Sequence, residues 1–295
     1  MDRLHSALEE AAAAVTEEME RLLPEGDGLE APLFEAMNYA IMAGGKRLRP
    51  FLVLTSAQLF NVSRESALRA AAAVEMVHTY SLVHDDLPAM DNDDLRRGKP
   101  TCHVKYGEAT AILVGDALLT LAFEVLSDPE THADPEVRCE LVTSLAVAAG
   151  AAGMVGGQMM DLEAEKQELD IGAITRLQRL KTGALIACSC EAGAILGKAH
   201  EHARHAVKAY AHDLGLAFQI TDDLLDTTGS EKDMGKKVGK DAGAGKATFV
   251  SILGVERARA QAQALAEQAA GHLDMFEDKA DLLRDVARFV VERRN

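Results

Sequence analysis

The spacing of apolar residues restricts the fold of this chain more than any other feature. They recur at helical intervals through most of the sequence, and alternating runs rich in Val, Ile, Thr and Tyr are hard to find. That periodicity predicts an all-α protein. It places helices over about residues 3–22, 31–42, 48–60, 64–86, 108–126, 135–154, 171–197, 202–227, 248–270 and 277–293. Helices of this number and length predict a bundle around a central cavity. Pro24 and Pro32 bracket an early loop, while Pro88, Pro100, Pro129 and Pro135 end or begin helices. No linker long enough to separate two domains is visible, so residues 1–295 read as a single domain. The Gly- and Lys-rich stretch Thr227–Lys246 reads as a mobile loop.

Charge narrows the range of partners. The formal net charge is −16, which argues against nucleic acid or an anionic membrane surface, since both need a net basic face. Any anionic ligand must therefore meet a local basic cluster. The N-terminal stretch is acidic and amphipathic, unlike a secretory signal or a transit peptide, and reads as part of the fold. Apolar stretches such as Ala146–Gly157 are shorter than a bilayer span, and the expected location is the cytoplasm. Cys102, Cys139, Cys188 and Cys190 have neither CxxC spacing nor a paired framework and read as small apolar residues.

Two acidic clusters carry the chemistry. The first runs Asp85-Asp86-Leu-Pro-Ala-Met-Asp91-Asn-Asp93-Asp94 at the end of a predicted helix. Carboxylates so dense at a helix C-terminus repel one another and oppose the macrodipole, a situation that a multivalent cation relieves. Pro88 interrupts the helix and lets the chain bring Asp91 back toward Asp85. Hard oxygen ligands, few per ion, suit Mg²⁺ that shares its shell with phosphates and water. The second cluster, Asp222-Asp223-Leu-Leu-Asp226, ends another predicted helix with Asp222 and Asp226 on one face and Gln219 one turn earlier. Together the clusters read as opposing walls that hold a diphosphate through bridging magnesium.

Cations lie close to these acids. Lys46, Arg47 and Arg49 follow the Gly44–Gly45 pair, where backbone can approach a phosphate closely. Arg96 and Arg97 follow the first acidic cluster, and Lys181, Lys236, Lys237, Lys240 and Lys246 supply further charge. Such a set in an acidic protein implies a second, metal-free phosphate site. His78 lies seven residues before Asp85 and so on the same helical stripe. The segment Gly239–Lys246 imitates a phosphate-binding loop, but its glycine spacing is one residue too long, Ala247 replaces Ser or Thr, and no strand precedes it.

GGKRLRP, HTYSLVHDDLPAMDNDDLRRGKPTCH, GGQMMDL, KTGAL and FQITDDLLD with GKKVGKD, between about Ala36 and Gly254, resemble in order and spacing the trans-polyprenyl synthetase family, particularly its bacterial farnesyl-producing members. The resemblance implies an all-α bundle with a deep apolar cavity, a homodimer, and three Mg²⁺ per site with Mn²⁺ as a substitute. It implies magnesium ligation by Asp85, Asp86 and Asp91 from one wall and by Asp222, Asp223 and Asp226 from the other. Lys46, Arg49, His78 and Arg97 would hold isopentenyl diphosphate. Arg96, Lys181, Thr182, Gln219 and Lys236, with Lys246 able to share the last role, would border the allylic dimethylallyl or geranyl diphosphate and its carbocation. Tyr80 and Ser81, one turn before Asp85, would set product length at fifteen carbons. Ten- or twenty-carbon products remain alternatives. A terpene cyclase needs only one diphosphate site, and a non-enzymatic metal-binding helical protein would not need the basic set.

Overall fold

The computed structural model describes residues 2–164, 166, 167, 169–228 and 248–293. It is built of α-helices, as the periodicity predicts. In chain order they are α1 (Asp2–Leu22), α2 (Ala31–Ile41), α3 (Leu48–Leu59), α4 (Arg64–Asp85), α5 (Cys102–Tyr106), α6 (Glu108–Ser127), α7 (Pro135–Ala149) and α8 (Met154–Ala164). Then come α9 (Ile171–Gln178), α10 (Ala184–Leu196), α11 (Glu201–Thr228), α12 (Phe249–Leu253), α13 (Val255–His272) and α14 (Asp281–Glu292).

Helix α4 is the central element. Its start is fixed by Ser63, whose side chain accepts from the Ser66 amide, and Ala70–Val74, Met76 and Val77 are all buried. A helix apolar on every side must be surrounded, and α4 packs against α1, α2, α3, α6 and α10. Helices α11 and α13 pack against each other, and α11 also packs on α10. Pro135 at the first turn with Asp134 capping starts α7, and Asp170 caps α9 by accepting from Ala173 at 2.7 Å.

The structure departs from the sequence reading in four places, each with a local cause. The helix expected over 135–154 stops at Ala149, because the Gly150–Gly153 turn intervenes before a separate α8. The helix expected over 171–197 contains a π turn at Arg179–Gly183. That expected over 248–270 breaks at Gly254, whose φ of 80° suits glycine alone. The last helix is preceded by a 3₁₀ segment, Asp274–Ala280. Beyond these, a two-residue antiparallel ladder, β1 (Leu95–Arg96) and β2 (Lys99–Pro100), pairs Leu95 with Pro100 and Arg96 with Lys99. Its turn residues Arg97 and Gly98 both have positive φ (53° and 76°), the geometry of a tight hairpin. Glu108–Ser127 and Pro135–Ala164 are long and apolar enough to cross a membrane by length and composition. The second is interrupted at the glycine turn, and α6 directs Ala111, Val114 and Leu118 into the protein core.

Candidate active site

The last turn of α4 presents the first acidic wall. After Asp85 the chain folds back, and the Asp91 amide donates to the Asp85 carbonyl at 2.8 Å. The doubling-back expected from Pro88 is therefore present. Burial pushes the Asp85 carboxyl up to about 6; nearby Asp91 and Asp86 reinforce the shift, while Lys181 and Arg96 oppose it. Asp86 is buried and fully engaged: Arg96 donates to it through Nε at 2.8 and 2.9 Å and through Nη2 at 2.6 Å. The two adjacent aspartates thus differ, one facing the cavity and the other holding an arginine.

In the second wall both adjacent aspartates hold partners. On α11, Asp223 is buried and accepts from the Phe249 amide at 2.9 Å and from Gln178 Nε2 at 3.3 Å. It ties α11 to α9 and α12. Asp222 is half-buried and accepts from Arg293 Nη2 at 2.6 Å. Arg293 also donates to the Phe218 carbonyl and lies 4.0 Å over the Phe218 ring. Asp226, one turn beyond Asp222, and Gln219, one turn before it, are both half-buried.

Two adjoining cavities lie beside the last turns of α4, and no residue of the second acidic cluster lines either of them. The larger, about 740 Å³, is rimmed by Lys46, Arg47, Arg49, His78, Arg97 and Arg293. Within it Arg47 is consumed by a buried ion pair with Glu75 at 2.7 Å, both side chains being 3% exposed or less. Arg49 Nη1 lies 3.3 Å from His78 Nε2. Burial, and then the positive charges of Arg49, Arg97, Arg96 and Arg47, hold the imidazole well below its ordinary range, so His78 is neutral and accepts from Arg49. The Arg97 guanidinium covers Gly45, where a Cβ would come within 2.4 Å of Nη1.

The second cavity, about 560 Å³, is headed by Asp85, Lys181 and Thr182 and walled deeper in by Tyr80, Ser81 and Met154. Lys181 and Thr182 sit in the π turn, a form concentrated at functional sites. Gly157 of α8 lets this turn approach, since a Cβ there would lie 2.2 Å from the Lys181 amide nitrogen. One helical turn on, Asp161 Oδ2 accepts from Lys181 Nζ at 2.6 Å. Arg49 and His78 line both cavities and form the boundary where they meet.

Of the residues singled out in the sequence, Lys46, Arg49, His78, Arg97, Tyr80, Ser81, Asp85, Lys181 and Thr182 therefore converge on the two cavities, whereas Asp86, Asp91, Arg96, Gln219, Asp222, Asp223 and Asp226 line neither. Lys236 and Lys246, with the rest of the Gly- and Lys-rich stretch from residue 229 to 247, lie outside the described residues. The sequence reading gave no role to Glu75, Asp161, Gln178 or Arg293. Asp161 had a signal in the four-residue step from Gly157 to Asp161, which stacks a small residue and an acid on one face. Arg293 had none, because its partner lies 71 positions away.

The carboxylates suit a hard divalent cation that is only partly coordinated by protein. Asp91 is close enough to Asp85 to raise the proton affinity of that carboxyl. Among the described residues no group of three His, Cys, Asp or Glu side chains is placed to hold a metal ion by itself. An ion held here would complete its shell with phosphate oxygens and water, the usual habit of Mg²⁺.

Comparison with known proteins fits this geometry. A family model described as polyprenyl synthetase matches residues 30–286. The farnesyl diphosphate synthase of Escherichia coli strain K12 is 46% identical over 270 residues, 89% of each chain. The geranylgeranyl diphosphate synthase of Cyanophora paradoxa is 41% identical over 289 residues, 98% of this chain and 96% of that one. An FPP/GFPP synthase from Zymomonas mobilis, solved in its apo form, superposes with a TM-score of 0.90 at 51% identity, covering 98% of this chain and 99% of the other. With the family model spanning most of the sequence and relatives aligned almost end to end, the chain belongs to the polyprenyl synthetase family.

Proposed function

We propose that this chain is a short-chain prenyltransferase that condenses isopentenyl diphosphate with dimethylallyl and then geranyl diphosphate, releasing diphosphate and forming farnesyl diphosphate. The observation that carries the reading is the pair of adjoining cavities, one basic and one apolar with Asp85 at its head, sharing Arg49 and His78 as a common boundary. Two substrates bound side by side need such a pair, whereas a reaction of one diphosphate needs a single pocket.

Lys46, Arg49 and Arg97 bind the diphosphate of isopentenyl diphosphate directly, and neutral His78 keeps Arg49 aimed at it. Asp85, Asp91, Asp222 and Asp226 would hold Mg²⁺, expected as three ions with Mn²⁺ as a substitute, while Asp86 and Asp223 fix their surroundings through Arg96, Gln178 and Phe249. Bound magnesium supplies charge neutralisation of the leaving diphosphate. Arg96 and Lys181 add positive charge on the same side, held by Asp86 and Asp161. Thr182 and Gln219 offer dipoles to the allylic cation without trapping it, and the apolar walls keep water from quenching it. The double bond of isopentenyl diphosphate attacks that cation, and the proton lost afterwards passes to the departing diphosphate, since the motifs offer no free side-chain base. Lys236 or Lys246 would complete the allylic site.

A fifteen-carbon product is favoured by Tyr80, 7% exposed and set in the wall of the apolar cavity one turn below Asp85. Relatives bear the names of farnesyl, geranylgeranyl and FPP/GFPP synthases, so length must be set by details of this wall. We further propose a homodimer working in the cytoplasm. Ile112 and Leu113 of α6 with Val147 of α7 leave large side chains 44–58% exposed, a surface that a second copy would cover. Incubation with labelled isopentenyl and geranyl diphosphates, followed by chromatography, tests the reading. A fifteen-carbon diphosphate is expected, and a cyclic hydrocarbon or no product at all would refute it.

A further inference from the structure

His84 immediately precedes the first aspartate yet faces away from the diphosphate side. Its Nε2 lies 3.0 Å from the carbonyl of Ile112 on α6. At Gly115, one turn along α6, an added Cβ would lie 2.0 Å from His84 Nε2 and 2.4 Å from Cδ2. The imidazole thus occupies the hollow left by a missing side chain. Four residues earlier on the same stripe of α4, the Tyr80 ring stands edge-on to it, with centroids 5.7 Å apart and planes at 83°. Both rings line the apolar cavity of about 560 Å³.

We propose that His84, wedged against Gly115, is a specificity-determining residue that fixes the depth of the product cavity by bracing Tyr80. The inference rests on the prenyl-transfer reading above and deepens it. Tyr80 alone is a poor stop, because an aromatic ring with empty space beside it can swing aside under a growing chain. His84 fills that space, and Gly115 with the Ile112 carbonyl prevents it from shifting toward α6. The two partners have opposite expected effects. Removing the imidazole frees the space behind Tyr80 and lengthens the product. Giving Gly115 a side chain evicts the imidazole, and the open volume beside it is the cavity itself, so the product shortens.

The test measures product distributions from isopentenyl and dimethylallyl diphosphates for the wild type, His84→Ala, Gly115→Ala and His84→Ala/Gly115→Ala. His84→Ala should raise the ratio of twenty- to fifteen-carbon product roughly two- to tenfold, the scale of one aromatic contact, and Gly115→Ala should raise the ten- to fifteen-carbon ratio by a similar factor. The double variant removes the collision. It should fold even where Gly115→Ala does not, and it should lack the short-product bias. Ratios are read rather than rates, so a general loss of stability does not imitate the effect. Unchanged ratios, or both single variants moving the same way, would overturn the inference while leaving prenyl transfer intact. A wild type that forms no prenyl diphosphate would instead overturn the parent reading.

Discussion

Replacing Asp85 by Asn should make the metal-free protein more stable while removing its activity. Burial and the neighbouring acids carry this carboxyl from its ordinary 3.8 to about 6. At 1.36 kcal/mol for each tenfold change in proton affinity, that displacement withholds about 3 kcal/mol of stability at neutral pH. Solvent at the cavity mouth screens part of it, which leaves about 1–2 kcal/mol for Asn to recover. In a chain of 295 residues the gain corresponds to roughly 2–3 °C in Tm. The sign follows from proton binding. The folded carboxyl holds its proton more tightly than the unfolded one, so the wild type loses stability as pH rises from about 4 to about 6. Asn has no proton to lose, so its advantage should be complete above pH 6 and vanish below about pH 4. Differential scanning calorimetry in EDTA at pH 4 and pH 8 reads this directly. With Mg²⁺ and inorganic diphosphate added, the wild type should gain more than the variant, and prenyl transfer by the variant should fall by orders of magnitude. An Asp85→Asn protein no more stable than wild type at pH 8 in EDTA, or equally favoured at pH 4, would refute the electrostatic account.

Other perturbations separate the parts of the site. Asp222→Ala should reduce turnover by orders of magnitude in saturating Mg²⁺ with helical content unchanged by circular dichroism, and full activity of the wild type in EDTA would contradict the metal assignment. Gly45→Ala places a Cβ where the Arg97 guanidinium lies and strains a residue with φ of 131°, so the Michaelis constant for isopentenyl diphosphate should rise more than that for the allylic substrate; equal effects would argue against a separate cationic site. Asp161→Asn leaves Lys181 without its carboxylate and should lower kcat by about tenfold, the cost of one misplaced charge-assisted contact, with the loss read in steady-state assays. Glu75→Gln strands a buried Arg47 and should destabilise the fold by about 3–5 kcal/mol in urea titrations.

Much of this was legible because it depends on near neighbours. The helices follow from apolar spacing, and the approach of Asp91 to Asp85 follows from Pro88. The division of labour within each Asp pair was not read. Adjacent helical residues point about 100° apart, so when Asp85 faces the cavity Asp86 must face elsewhere, but which partner waits there depends on tertiary packing. Arg96 and Gln178 with Phe249 supply those partners from other segments. The breaks at Gly150–Gly153 and Gly254 were hidden because apolar residues flank them closely on both sides. The clamp of Arg293 on Asp222 joins distant parts of the chain and leaves no local trace.

The π turn at Arg179–Gly183 also limits how this segment can change length. One extra residue is absorbed in the turn, so the helix beyond it keeps the orientation that an unbroken α-helix one residue shorter would have. Straightening the same residues into a regular α-helix would advance α10 by one position, about 100°, and swing its buried row, which includes Leu185, Ser189 and Cys190, away from α3; removing one residue would instead leave that row in place and erase the bulge that carries Lys181 and Thr182. The surface loops of this protein can gain or lose a residue at small thermodynamic cost. In this turn a one-residue deletion acts on the site instead, removing the bulge that presents Lys181 and Thr182 while the core behind it keeps its register.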